Sequence, residues 1–383
     1  MARLEREQNN VRTALRWSIE RGDLTAGLRL AISGGHPFWY MRGRYAEGRA
    51  WLNELLALGA GEDQLALRAA GLTWAGQLAY AEGATRDAQD LLQHALHLAE
   101  RVADARAIAN VEHILGNAKR GQGDLDEATR HYLRARMMAR EAGRPATESW
   151  VLVTLMLTCV DQGDVDGVRG LLAEFDDQIA MADNPTARAW RPLFGGWLAA
   201  RDGDHANAGR LLEEGLKAMD DLGYRQASVY GRGLAAYAAL DRMDWTGAAR
   251  HLQDMLAVAR TTNDRKALAR ALDAVGELLA ANGQHQQALR LAGTASALHE
   301  TLGGRTPPID AARRERWIEQ AKLALGASAE AALAAGRRWH LTEAIDHALQ
   351  TCGAWFTRQT STAVAAAMPD PDATCTRRAH RSP

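Results

Sequence analysis

Cysteine is almost missing: Cys159, Cys352 and Cys375 are all that 383 residues contain. They are far apart and odd in number, and no CxxC pair occurs, so neither a disulfide framework nor a zinc site of ordinary spacing is expected. Lysine is also scarce. Lys119, Lys217, Lys266 and Lys322 are the only four, and arginine carries nearly all the positive charge. With the abundant alanine, this reads as the coding bias of a GC-rich genome. The formal net charge is −1, which argues against general attraction to nucleic acid or an anionic membrane but leaves room for a local basic patch. No stretch approaches the ~18 consecutive apolar residues of a membrane span, and the opening MARLEREQNN has no apolar signal core. A cytoplasmic location is expected. Catalytic phrases are missing too: there is no GxxxxGK[ST] loop to cradle phosphates, no GxSxG and no HExxH. Neither an enzyme nor a cofactor is expected.

What is present is a beat. Glycine stands at 43, 83, 123, 163, 203 and 283, at multiples of 40 residues, with Met243 in the missing place. Five residues later comes Gly48, Ala88, Ala128, Val168, Ala208, Ala248 or Ala288. Half a period away lies a second set of breaks, such as ADAR near Asp104, AGRPA near Gly143, ADNPT near Asn184 and TNDRK near Asn263. Gly, Asn and Asp are turn and helix-stop residues. Between the breaks, stretches such as DAQDLLQHALHLAERV space their apolar residues at three and four, as an amphipathic helix does. Strong β-formers never alternate over a useful length. The expected fold is therefore all-α, a right-handed solenoid of about seven antiparallel helix pairs.

A third series refines the type. Gly76, Gly116, Gly196, Ala236 and Gly276 keep the same beat, with Met156 as the exception. Each lies 12 residues before the small residue of the next helix, so two helix axes can approach closely. That is the logic of the tetratricopeptide (TPR) hairpin, here with a period longer than the usual ~34 residues. The repeats resemble the TPR arms of bacterial signal-transduction ATPases of the STAND class and of the large LuxR-type activators related to the maltose activator. The stretch NNVRTALRW…FWYMRGRYAEGRAWL near the start and AALAAGRRWHLTEAIDHAL from Ala331 to Leu349 resemble the two ends of such an arm. The resemblance implies a non-catalytic sensor or protein-interaction arm of a transcriptional regulator. The P-loop is missing and no helix-turn-helix is found after Leu349, so ATPase and DNA-binding activities are not expected of this polypeptide.

The expected organisation is an N-terminal helix and atypical repeat over 1–58, a TPR-like superhelix over 59–305, capping helices over 306–350 and a disordered tail over 351–383. By analogy with TPR proteins, the first helix of each pair lines the concave groove. Helical periodicity then turns a polar set inward, Asn110, His113, Asn117 and Arg120, followed by an aromatic set, Trp150, Trp190, Trp197, Tyr230 and Tyr237, and a charged set that includes Arg270, Asp273 and Glu277. Large aromatics on a groove suit a binding surface. They equally suit packing between helices, and both readings stand at this point. The partner would be a small-molecule inducer, or a protein or peptide as for a free-standing adaptor, with no direct nucleic-acid or membrane binding. Other features read as bland: GRGLAA at Gly231–Ala236 as helix packing, His94 and His97 as surface histidines, Cys159 as core, and the acids of FDD and MDD together with the basic RRERW at Arg313–Trp317 as solvated faces.

Overall fold

The computed structural model describes residues 2–40, 43–59, 61–181, 184–302 and 305–367. Among these there is no strand, and the fold is an all-α solenoid. Two helices, α1 (Ala2–Glu20) and α2 (Leu24–Gly34), lead through one wide π-helical turn, Gly35–Tyr40, into α3 (Tyr45–Leu56). The hairpins follow: α4 (Leu65–Glu82) with α5 (Thr85–Arg101), α6 (Ala105–Gln122) with α7 (Leu125–Glu141), and α8 (Pro145–Gln162) with α9 (Val165–Met181). The next first helix is broken into α10 (Pro185–Arg188) and α11 (Arg191–Arg201). Pro192 has no N–H to give the carbonyl four residues back, so the helix restarts there. α11 pairs with α12 (His205–Asp221), α13 (Arg225–Asp241) with α14 (Trp245–Thr262), and α15 (Arg265–Ala281) with α16 (His285–Leu302). Three helices close the chain: α17 (Pro308–Leu325), α18 (Ala329–Arg337) and α19 (Leu341–Ala367).

The 40-residue beat is visible in the turns. Gly123 ends α6 at φ +78°, its N–H on Arg120 O, and the following Asp124 caps α7 by accepting from Glu127 N. A left-handed residue that stops one helix is followed at once by an acid that starts the next, which is why the sequence repeats Gly-Asp. Met243 holds the same left-handed turn at φ +60° without being glycine, a conformation that costs an L-residue roughly 1–2 kcal/mol. The close-packing series is equally literal. A Cβ on Gly116 would lie 2.4 Å from the ring of Tyr132, and one on Gly196 would lie 3.1 Å from the backbone oxygen of Ala208. Only a bare Cα lets these axes approach so closely.

The solenoid closes on itself. The N–H of Arg305 donates to Gln122 O at 2.9 Å, and Lys266 Nζ donates to Gly121 O at 2.9 Å, so the link after α16 and the start of α15 both touch the end of α6. α17 then lies against α15, α16 and α8. The expected cap over 306–350 thus divides: α17 folds back along the inner faces, while α18 and α19 pack on α16 and α14. The expected disorder from 351 does not begin there either. α19 runs unbroken to Ala367, as its alanine content and lack of Gly or Pro after Gly353 permit. Residues 368–383 lie outside the described residues.

Candidate functional site

Closure turns the groove into a cavity of about 1150 Å³. Its walls come from α2, α4, α6, α8, the α10–α11 junction, α13, α15 and the residues His299, Leu302 and Arg305 to Pro307. Of the residues expected on the groove, Asn110, His113, Asn117, Arg120, Trp150, Trp190 and Tyr230 line this cavity. The helical phase explains the first four: positions 110, 113, 117 and 120 share one stripe of α6, while Tyr132 packs behind them and donates its hydroxyl to Asn117 Oδ1 at 2.8 Å.

Two expected residues do not line it. Trp197 is 5 % exposed, lies in the core with Leu212 and Leu216, and carries the Arg201 guanidinium over its ring at 5.3 Å. Tyr237 is covered by α17, with Arg313 stacked 4.6 Å from its ring. The aromatics therefore divide between cavity wall and core, residue by residue. Trp150 is half-buried beside the Tyr224 ring. Trp190 is 4 % exposed, stacked on Phe194 and tilted on Tyr230, so it serves core and wall together.

The floor is polar and paired. Arg120 Nε meets Asp161 Oδ2 at 2.7 Å, and Tyr230 donates its hydroxyl to Asp161 Oδ1 at 3.1 Å. Arg270 pairs with Asp310 of α17 at 2.9 Å, and both guanidinium groups lie over the Tyr230 ring, Arg120 at 5.4 Å and Arg270 at 5.0 Å. Burial pushes the Tyr230 hydroxyl up, further helped by Asp161, so it stays a neutral donor. The charged wall set continues in the same way. Asp273 receives Arg314 at 2.8 Å, and Glu277 and Asp241 both receive Arg313 at 2.7 Å. The RRERW segment is thus no solvated face. Arg313, Arg314 and Trp317 are the side chains by which α17 fits the groove, with Trp317 closing over Gly276.

His113 is a buried titratable group of the cavity wall. Burial pulls its imidazole down to about 4, and Nε2 has no hydrogen-bond partner. Below the ordinary histidine range, around 6.5, the unfolded chain takes up a proton that the folded chain refuses. Stability is therefore full above that range and lost as pH falls toward about 4. At about 1.4 kcal/mol per unit, the full displacement is worth roughly 3 kcal/mol. Urea denaturation from pH 7 to pH 4.5 should show His113→Gln losing less stability than the parent; equal slopes would show that His113 protonates freely in the fold. Cys159, on α8 and partly buried, has its thiol pushed up to about 11 by burial and the nearby Asp164, which keeps it protonated at neutral pH. No cluster of His, Cys, Asp or Glu able to hold a metal occurs among the described residues, and among them no helix is long and apolar enough to cross a membrane.

Sequence reasoning missed the two cross-groove contacts made by Lys266 and Arg305, and the cavity-lining Arg29 and Tyr40. Lys266 sits in the break TNDRK and looked like turn punctuation; nothing local says that it meets a helix 145 residues away.

No family model matches the chain. Over 194 residues, 46% of this chain and 20% of the relative, it is 30% identical to proteins named "Putative HTH-type transcriptional regulator" from Mycobacterium bovis and Mycobacterium tuberculosis. The chain spans about a fifth of the length of these curated relatives. Among solved structures it is similar to a Signal Transduction ATPase with Numerous Domains (STAND) protein with a tetratricopeptide repeat sensor from Pyrococcus horikoshii, at TM-score 0.49 and 13% identity, covering 84% of this chain and 45% of that one. It is also similar to BtubC (BKLC) from P. vanneervenii, at TM-score 0.38 and 16% identity, covering 73% and 94%. Neither structural likeness is close enough to assign a function.

Proposed function

We propose that this chain is the sensor arm of a transcriptional regulator of the STAND or LuxR type, and that an inducer binds in the cavity. The observation that carries the reading is the closure itself. The cavity is walled by both early and late repeats, and the repeats meet across the groove at Gly121–Lys266 and Gln122–Arg305. A ligand that touches both sides alters how firmly the ring closes, and a ring that opens or closes is a two-state element able to pass a signal along the solenoid. The 30% identity to mycobacterial proteins named as HTH-type regulators supports the regulatory context. The alternative, a free-standing adaptor for extended peptides, is less well supported, because α17 already fills the part of the groove that Tyr237, Asp273 and Glu277 would offer.

Native mass spectrometry of the chain purified from its own host tests this. A single small organic adduct per chain is expected, absent from the Trp150→Ala variant while circular dichroism stays helical. A bound polypeptide in place of the small adduct would move the assignment to the adaptor. An adduct retained by Trp150→Ala would place the ligand outside the cavity.

A further inference from the structure

The chemistry of the cavity narrows what enters it. The groove is shut at one end by α17 and the Arg305–Gln122 contact, so the occupant is a compact molecule and not a chain threaded along the solenoid. The walls carry the aromatic side chains of Trp150, Trp190 and Tyr230, with Trp150 half-buried, and such a lining favours a flat or apolar body.

Charge adds a second constraint. Every carboxylate on the lining is already committed. Asp161 holds Arg120 and Tyr230. Asp104 and Asp264 cap α6 and α15 by accepting from Ala107 N and Ala267 N. The cations are not all committed. Arg29, Arg106 and Arg305 line the cavity, are exposed, and have no ion pair among the described residues. Among the described residues, Lys266 meets the Gly121 carbonyl and the Tyr80 hydroxyl and ring, and no carboxylate. The cavity therefore carries a surplus of positive charge at its exposed edges, above a neutralised floor. In a partly enclosed space such a surplus concentrates anions.

We infer that the cavity takes a compact organic anion, an aromatic or apolar body bearing an acidic group such as carboxylate or sulfonate, with the body against the Trp150–Trp190–Tyr230 wall and the acid toward Arg29 and Arg106. This rests on the cavity being the ligand site of the sensor reading above. His113 and the indole of Trp190 fit the assignment: each lines the cavity and holds a buried ring nitrogen without a partner, ready for a polar atom of the ligand.

Two dyes that share a ring system test it on the full chain. Anilinonaphthalene sulfonate is the anionic probe, and N-phenylnaphthylamine has the same rings without the sulfonate. The anion is expected to bind at one site per chain, about tenfold tighter than the neutral dye, and to weaken as salt is raised. The Arg29→Gln/Arg106→Gln double variant touches neither cross-groove contact. It should weaken the anion about tenfold, as the loss of two partly exposed charge pairs implies, and leave the neutral dye unchanged. Equal affinities, or an anion indifferent to the double variant, would overturn the charge assignment. If the neutral dye then still binds one site and loses it in Trp150→Ala, the cavity survives as a site and only its anion preference is refuted. If neither dye binds at a single site, the cavity reading and the anion reading fall together.

Discussion

Replacing Gly336 by alanine should destabilise the C-terminal part of the protein by about 3 kcal/mol, near the upper end of what one methyl group can do. Gly336, on α18, faces Gly293, on α16, and the two helices touch backbone to backbone. A Cβ on Gly336 would sit 1.9 Å from the carbonyl oxygen of Arg290, and one on Gly293 would sit 2.2 Å from that of Leu333. The obstacle is main chain in both directions, so no rotamer change relieves it; the helices must separate. Separation also releases Thr294, whose hydroxyl donates to Gly336 O at 2.9 Å. It loosens the attachment of α19, whose Ala344, Ile345, Ala348 and Cys352 are buried in the same cluster as Leu252 and Leu256 of α14. Helix propensity alone would favour alanine over glycine by about 1 kcal/mol, so the sign of the result separates the two effects. Cys352 gives a local readout, since its thiol is fully buried. Mass-mapped alkylation should be slow at Cys352 in the parent and fast in Gly336→Ala. Gly353→Ala is the control: its Cβ would meet nothing within 4 Å, and that variant should hold its stability or gain. Slow alkylation of Cys352 in Gly336→Ala would show that α16 and α18 are not held at backbone contact.

The sequence made the repeat legible because its constraints are local and steric. Gly123 must turn left-handed and Gly116 must admit Tyr132, and no other residue type meets both demands without strain. The phase of each first helix followed from the same series, which is why the polar set on α6 and Trp150 on α8 stand where periodicity puts them. Trp197 departs from that pattern because the break at Pro192 restarts its helix, and its indole goes to the core. The path of α17 was not legible. The partners of its arginines lie 18 to 72 residues back along the chain, and a basic segment reads alike whether it faces water or acids. One signal did exist. The expected inner set Arg270, Asp273 and Glu277 was charged on a wall otherwise aromatic, and RRER is its complement in sign. Charges turned toward a concave surface call for a partner, and here the partner is the chain itself. The helix through Ala367 was missed for a simpler reason: the Thr, Ala and Ser run after Cys352 has the composition of a tail, yet it simply extends a helix already begun.

Removing Arg270 should cost more than the ion pair it makes is worth. Arg270 and Asp310 are both largely buried, 18% and 9% exposed at their side chains, and they fix α17 to α15. Burial pushes the Asp310 carboxyl up even with Arg270 opposing, aided by the nearby Asp161 and Asp273. Buried ion pairs commonly return little beyond their own desolvation cost, whereas breaking one leaves a charge without its partner. Arg270→Met leaves a buried carboxylate beside two others and should lose about 3–5 kcal/mol. Arg270→Met/Asp310→Leu removes both charges and should recover most of that loss. The pH dependence has a definite sign. Arg270 holds the Asp310 carboxyl down, so losing it pushes that carboxyl up further, the variant gains more than the parent from protonating Asp310, and its stability deficit shrinks as pH falls. Urea denaturation of parent, single and double variants between pH 8 and pH 5 measures all three expectations. A single variant as stable as the parent at pH 8 would mean that Asp310 is solvated, and with it that α17 does not seal the groove.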